Sequence, residues 1–403
     1  MTKENVKIVA ENYLLPFVLI TLLFFLWGGA RAILDVLNKH FQSEMDITKT
    51  QSAFMQAATY GAYFLGALPA GYMIRRIGTR KGVIVGLMLF AIGSFLFIPV
   101  QAIASFSYVM FPLFVIGCGL VILETAANPY VTLLGDPRTS AGRLNIAQSF
   151  NGLGCIMGVL LGGQFFFRED AVEPVNIAVP YTVIGVIVLI VALCFTRIKL
   201  PEVLFESHNN ENSAKQKLGF AFFFGVTALI CYEIAEISIN TFFINFMTDD
   251  GFLSANQASL VLSLAGLGLF MLGRVVGGSL MKYVAAEKIM FVCACGTLIT
   301  VLLTMLPLGG VAKGALVVCY VFESIMFPTI FALSIRGLGA NTERASSILM
   351  MSVVGGVVGP LLMGMIADCY NIAAAFIVPF VAFAVVFAFA LYHLLCNRRE
   401  SKA

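Results

Sequence analysis

A chain of 403 residues has the length of two or three soluble domains, but sixty per cent of these residues are hydrophobic and only twelve per cent are charged. A mean hydropathy of +0.94 excludes an ordinary soluble protein and marks an integral membrane protein, and a net charge of +3 excludes nucleic acid as a partner. The 37 glycines and 36 phenylalanines suit close helix contacts and bulky lipid-facing surfaces.

A membrane span needs about 20 apolar residues. Twelve such segments are expected, at roughly 14–37, 51–74, 82–100, 107–131, 144–167, 177–196, 218–247, 256–281, 288–307, 314–335, 345–366 and 372–396. Residues 1–12 are polar, and the first apolar run is too long for a signal peptide. The long polar connection 197–217 divides the chain into six-helix halves, 1–196 and 218–403. Nine cysteines lie singly or, at Cys293 and Cys295, close together in an apolar run; they read as small core residues.

Lysine and arginine set the orientation. With both termini cytoplasmic, nineteen of the 25 fall on the inner side, and only Lys39, Lys49, Arg168 and Lys313 fall on the outer side. The halves also echo each other. Gly71-x-x-x-Arg75 closes the second segment and Gly278-x-x-x-Lys282 closes the eighth, an offset of 207 residues. Parallel six-helix repeats resemble the major facilitator architecture, which implies a substrate site between the halves. The stretch from Gly71 through Arg76, Gly78, Arg80 and Lys81 resembles the loop signature of that superfamily, with Arg75 where the signature has aspartate.

Six ionisable residues sit away from the helix ends: Arg31, Asp35, Glu124, Glu233, Glu236 and Glu323. Hydrocarbon tolerates such groups poorly, so each is a functional candidate, with structural ion pairing as the plain alternative. Arg31 and Asp35 are four residues apart: they either neutralise each other or leave Asp35 to handle substrate or protons. Glu124 has no basic neighbour on its own helix and shares a face with Asn128, which suits a group that takes up and releases a proton. Asn145, Gln148 and Asn151 recur every third residue on the fifth segment. Amides donate and accept at once, so this stripe suits a hydroxyl-rich ligand, or else ties helices together. Trp27 and Phe150 offer apolar faces to a sugar ring. On the seventh segment Glu236 and Asn240 share a face, with Glu233 nearby; Glu323 on the tenth lies close to Pro328. The glycines at 355, 356 and 359 read as close packing.

Two runs carry a more specific likeness. Glu124-Thr-Ala-Ala-Asn-Pro-Tyr and Arg143-Leu-Asn-Ile-Ala-Gln-Ser-Phe-Asn-Gly closely resemble the fucose–galactose–glucose:proton symporters of the major facilitator superfamily. Phe24-Phe-Leu-Trp27, Ile33-Leu-Asp35 and Ser324-Ile-Met-Phe-Pro-Thr-Ile-Phe look like the same group. The resemblance implies proton coupling at Asp35 and Glu124, and sugar contacts at Gln148 and Asn151. It departs at Arg31-Ala32, where the fucose symporter type has asparagines.

The expectation is an all-α bacterial inner-membrane symporter, monomeric, with lipid and a small sugar as partners and the proton as its coupling ion. It needs no cofactor and is not an enzyme. The sugar would be a hexose or deoxyhexose, L-fucose first, contacted by Trp27, Arg31, Glu124, Asn128, Asn145, Gln148, Asn151, Glu236 and Asn240. An amino sugar or sugar acid recognised by Arg31 is the alternative.

Overall fold

A computed structural model describes residues 9, 13–103, 105–134, 140–167, 176–197, 219–281, 283–336, 338, 345 and 348–400. Among them the regular structure is all helical, as it must be where lipid offers the backbone no hydrogen-bond partner. The long helices are α1 (Leu14–Met45), α2 (Lys49–Ile77), α3 (Thr79–Phe95), α4 (Phe106–Leu133), α5 (Ser140–Phe166), α6 (Ala178–Arg197) and α7 (Phe220–Thr248). They continue as α8 (Ala255–Leu280), α9 (Ala286–Met305), α10 (Gly310–Ile335), α11 (Ile348–Cys369) and α12 (Ile372–Cys396).

Ten of these are long and apolar enough to cross a membrane, and the two outside that group are α2 and α3. Each has a physical reason. Helix α2 carries Gln51, Ser52, Gln56 and Thr59 among its apolar residues, and α3 has only 17 residues. Helix α1 runs on to Met45, past the expected end, because Asn38 and Gln42 find partners: both donate to Ser52 Oγ, at 3.1 and 2.8 Å. The linker beyond Arg197, the N-terminal stretch 1–8, Lys282 and the side chains of Arg75 and Asn145 lie outside the described residues.

The chain forms two compact units. One comprises Met1–Leu34 with Ala58–Ser207, and the other Asp35–Ala57 with His208–Ala403. The outer end of α1 and the start of α2 therefore belong to the same unit as α7–α12.

In the first unit α3 packs on α4 and α6, and α4 packs on α5. Helices α1 and α5 meet backbone to backbone. A Cβ on Gly28 would collide with the Asn151 carbonyl, and one on Gly154 with the Phe25 carbonyl. Between apolar helices such contact must come from small residues, since lipid supplies no hydrophobic drive for helix to meet helix. Arg80 satisfies the end of α6, donating to the carbonyls of Phe195 (3.2 Å) and Thr196 (2.5 Å).

In the second unit α7 packs on α11 and α12, and α10 on α8 and α9. The glycine stretch of α11 is a close-packing surface, as expected: a Cβ on Gly355 would stand 2.6 Å from the Ile230 carbonyl of α7, and one on Gly359 2.5 Å from that of Ile234. Asp368 of α11 caps the start of α2, accepting from the backbone N–H of Lys49 (3.0 Å) and Thr50 (2.8 Å) and from the Thr50 hydroxyl (2.6 Å). Lys313, buried near the start of α10, donates to the Met247 carbonyl in the last turn of α7 (3.2 Å) and forms an ion pair with Asp250. That places a cation where the helix dipole favours one.

Overpacking a glycine contact costs typically about 1–3 kcal/mol. Gly154→Val is expected to lower the thermal midpoint of the purified protein by several degrees, whereas Gly314→Ala, where an added Cβ meets nothing within 4 Å, should leave it in place. The Lys313 hydrogen bond, with a further one from the Phe252 N–H, holds the Asp250 carboxyl below its usual range. A carboxyl depressed on folding stabilises the fold above its unfolded pKa, about 3.9, and loses that contribution as pH falls through the lower folded value. Asp250→Asn should therefore lower the thermal midpoint at pH ~7, with parent and variant converging in strong acid.

Candidate functional site

The first unit gathers most of the expected site. Glu124 is half-buried on α4, and its Oε1 accepts the Tyr63 hydroxyl of α2 at 2.9 Å. The Arg31 guanidinium of α1 acts electrostatically on it. Arg31 Nε donates to the Tyr60 hydroxyl at 2.8 Å, with the guanidinium 5.4 Å from that ring's centre. Tyr60 and Tyr63 are i and i+3 on α2, their rings 6.1 Å apart, so three helices contribute to one polar cluster around a carboxylate.

The amides follow from the approach of α1 and α5. Gln148 Nε2 stands 3.5 Å from Asn128 Oδ1, at the outer limit of a hydrogen bond. Asn151 Nδ2 donates to the Phe24 carbonyl at 3.1 Å, so this amide ties two helices together, the plainer of the two roles open to it. Asn145 lies in α5. Trp27 is only 2% exposed and packs on Phe24, ring centres 4.2 Å apart, whereas Phe150 is 43% exposed.

The other expected residues belong to the second unit. Asp35 accepts from Gln56 Nε2 at 3.0 Å. Asn240 accepts the Tyr320 hydroxyl at 2.7 Å, and Asp35 is among the charges acting on Tyr320. Glu236 is half-buried on α7, and Glu233 and Glu323 are buried. No group of three His, Cys, Asp or Glu side chains among the described residues is placed to hold a metal.

Sequence reasoning missed Gln56, Tyr60, Tyr63 and Tyr320. The first three had a signal: Ser52, Gln56, Tyr60 and Tyr63 recur every three or four residues along α2, a polar stripe in a segment otherwise read only as apolar. Tyr320, within the apolar run 315–322, had none.

The helical units, the glycine-packed contacts and the carboxylates among amides and tyrosines define a multi-pass membrane transporter. The chain belongs to the Major Facilitator Superfamily, whose family model matches residues 18–352. It is 34% identical over 398 residues to the glucose/galactose transporter of Brucella abortus, covering 96% of this chain and 95% of that one. It is 31% identical over 412 residues to the L-fucose-proton symporter of Escherichia coli, covering 95% and 94%. A solved structure of the E. coli fucose:proton symporter, in a variant form, superposes with a TM-score of 0.69 at 32% identity, covering 94% of this chain and 98% of that one. The likeness read from the helix 4 and helix 5 motifs is thus shown, and so is a transporter function in place of an enzymatic one.

A hydrogen bond to a charged group is worth about 1.5–3 kcal/mol, and each 1.4 kcal/mol is about tenfold in an equilibrium or rate. Tyr63→Phe, which keeps the ring and removes the donor, is expected to lower sugar uptake about tenfold or more while the thermal midpoint stays close to the parent's. Uptake equal to the parent's would show that the hydroxyl serves packing alone.

Proposed function

We propose that this transporter imports a hexose or 6-deoxyhexose together with a proton, with L-fucose, galactose and glucose the first sugars to test. The observation that carries the reading is Glu124: a lone carboxylate at membrane depth, held by a tyrosine hydroxyl, close to Arg31, and on the same helix face as Asn128, which meets Gln148. Glu124 takes the proton, and Asp35 is the second coupling carboxylate. Gln148, Asn151, Asn128, Asn145, Trp27, Arg31, Glu236 and Asn240 face the sugar or shape its site. Relatives named for glucose and galactose and for L-fucose with a proton support this class of substrate and coupling.

The scheme has twelve spans in two six-helix halves, 1–196 and 218–403, joined by a cytoplasmic linker at 197–217. The inner-side excess of lysine and arginine supports cytoplasmic termini, in a bacterial inner membrane. The carrier works as a monomer with no cofactor besides the proton. The alternative substrate is an amino sugar or sugar acid, with Arg31 recognising the extra group.

A pH gradient of one unit is worth about 1.4 kcal/mol per proton, enough for a one-proton carrier to concentrate sugar about tenfold. Proteoliposomes under such a gradient should accumulate sugar with the parent protein and only equilibrate it with Glu124→Gln, while exchange between equal sugar pools persists. Proton-driven accumulation unchanged in Glu124→Gln would overturn the assignment.

A further inference from the structure

Helix α10 is not continuous. Helical geometry holds over Gly310–Glu323 and again over Met326–Ile335, with a break at Ser324 and Ile325. Pro328 explains part of this: it has no N–H for the carbonyl four residues before it, that of Ser324. Arg274 of α8 takes that place, its Nε donating to the Ser324 carbonyl at 3.1 Å.

Glu323 is the last residue before the break. It is 0% exposed, and neither carboxyl oxygen has a hydrogen-bond partner. The Tyr232 hydroxyl, from α7, is likewise buried without one. The charge that acts on Glu323 is that of Glu236, one helical turn beyond Tyr232 on α7. An unpaired buried charge is among the most costly groups a fold can hold. Three orphaned oxygens and a second acid beside them make a site shaped for a proton.

We infer that Glu323, buried at the break in α10, holds an exchangeable proton, making a proton-binding site in the transporter separate from Glu124 and Asp35. Taking a proton from water turns the Glu323 carboxylate into the neutral acid, and releasing it restores the charge. The groups around it are Tyr232, Glu233 and Asn240 from α7, Arg274 from α8, Thr300 from α9 against Cys319, and Tyr320 of α10 itself, on which Asp35 also acts. Arg274 is held on the Ser324 carbonyl.

The test needs no transport, so its failure is distinct from failure of the Glu124 assignment. The full-length protein in lipid nanodiscs is titrated with pH while the infrared band of protonated carboxyl groups is followed, in the parent and in Glu323→Gln, Glu236→Gln and Glu124→Gln. Glu323→Gln should remove one titrating carboxyl that Glu124→Gln leaves in place. Glu236→Gln, which removes the charge acting on Glu323, should move the midpoint of that same band by more than about one pH unit, as coupled sites do. It also keeps the test decisive if Glu323→Gln does not fold. Three results would each overturn the proposal: no band lost in Glu323→Gln, a lost band that never responded to pH, or a midpoint unmoved by Glu236→Gln.

Discussion

Much of the first unit depends on α1 and α5 touching through their backbones. In lipid, two apolar helices gain little by meeting unless they can come close enough for dispersion and for polar groups to reach across. Gly28 and Gly154 allow that approach. Asn151 can then reach the Phe24 carbonyl, which fixes α5 against α1. With α5 fixed, Gln148 one turn earlier stands opposite Asn128 of α4, on the helix that carries Glu124. Arg31, one turn after Gly28 on α1, is turned to Tyr60 of α2, whose neighbour Tyr63 holds the carboxylate. The polar cluster is thus a consequence of two missing side chains.

Positions related by the 207-residue offset carry different chemistry. Gly71 and Gly278 correspond at an offset of 207 residues, and the same offset relates Arg80 at the start of α3 to Glu287 at the start of α9. Arg80 donates to the last carbonyls of α6, satisfying acceptors that a helix end leaves open. Glu287 sits in the first turn of its helix, where the dipole favours an acid, and pairs with Arg336 at 2.6 Å just past the end of α10. Both positions tie the start of one helix to the end of another. One uses a cation on backbone oxygens at the end of α6, the other an ion pair just past the end of α10.

What could be read from the sequence follows the same logic. Glu124 stood out because a carboxylate in an apolar run needs a reason, and the glycines of α11 because their spacing matches a helix surface. The polar stripe of α2 was obscured by its setting: Gln56, Tyr60 and Tyr63 are spread over a segment in which tyrosine passes for an apolar residue. The same polar content takes α2 out of the group of helices apolar enough to span on composition alone. Asp35 and Arg31 invited pairing by their spacing, but spacing on one helix says nothing of what the neighbouring helix offers. Tyr60 meets Arg31 and Gln56 meets Asp35, one turn apart on α2. Nor did the sequence show that α1 and α2 each contribute residues to both compact units.

The two units also differ in the regularity of their helices. In the second, α8 winds as a π-helix over Val261–Gly266 and α10 breaks after Glu323, and these two helices pack together. Irregular backbone at membrane depth is tolerated where protein, not lipid, surrounds it, and π-turns inside helices gather at functional sites. Each irregularity frees backbone groups that need new partners; at α10 the partner is Arg274, a cation that would itself be costly there without an acceptor. Proline, carbonyl and arginine therefore account for one another. Glu323 is the member of this neighbourhood that packing and hydrogen bonding leave unexplained, and a proton is the smallest ligand that accounts for it.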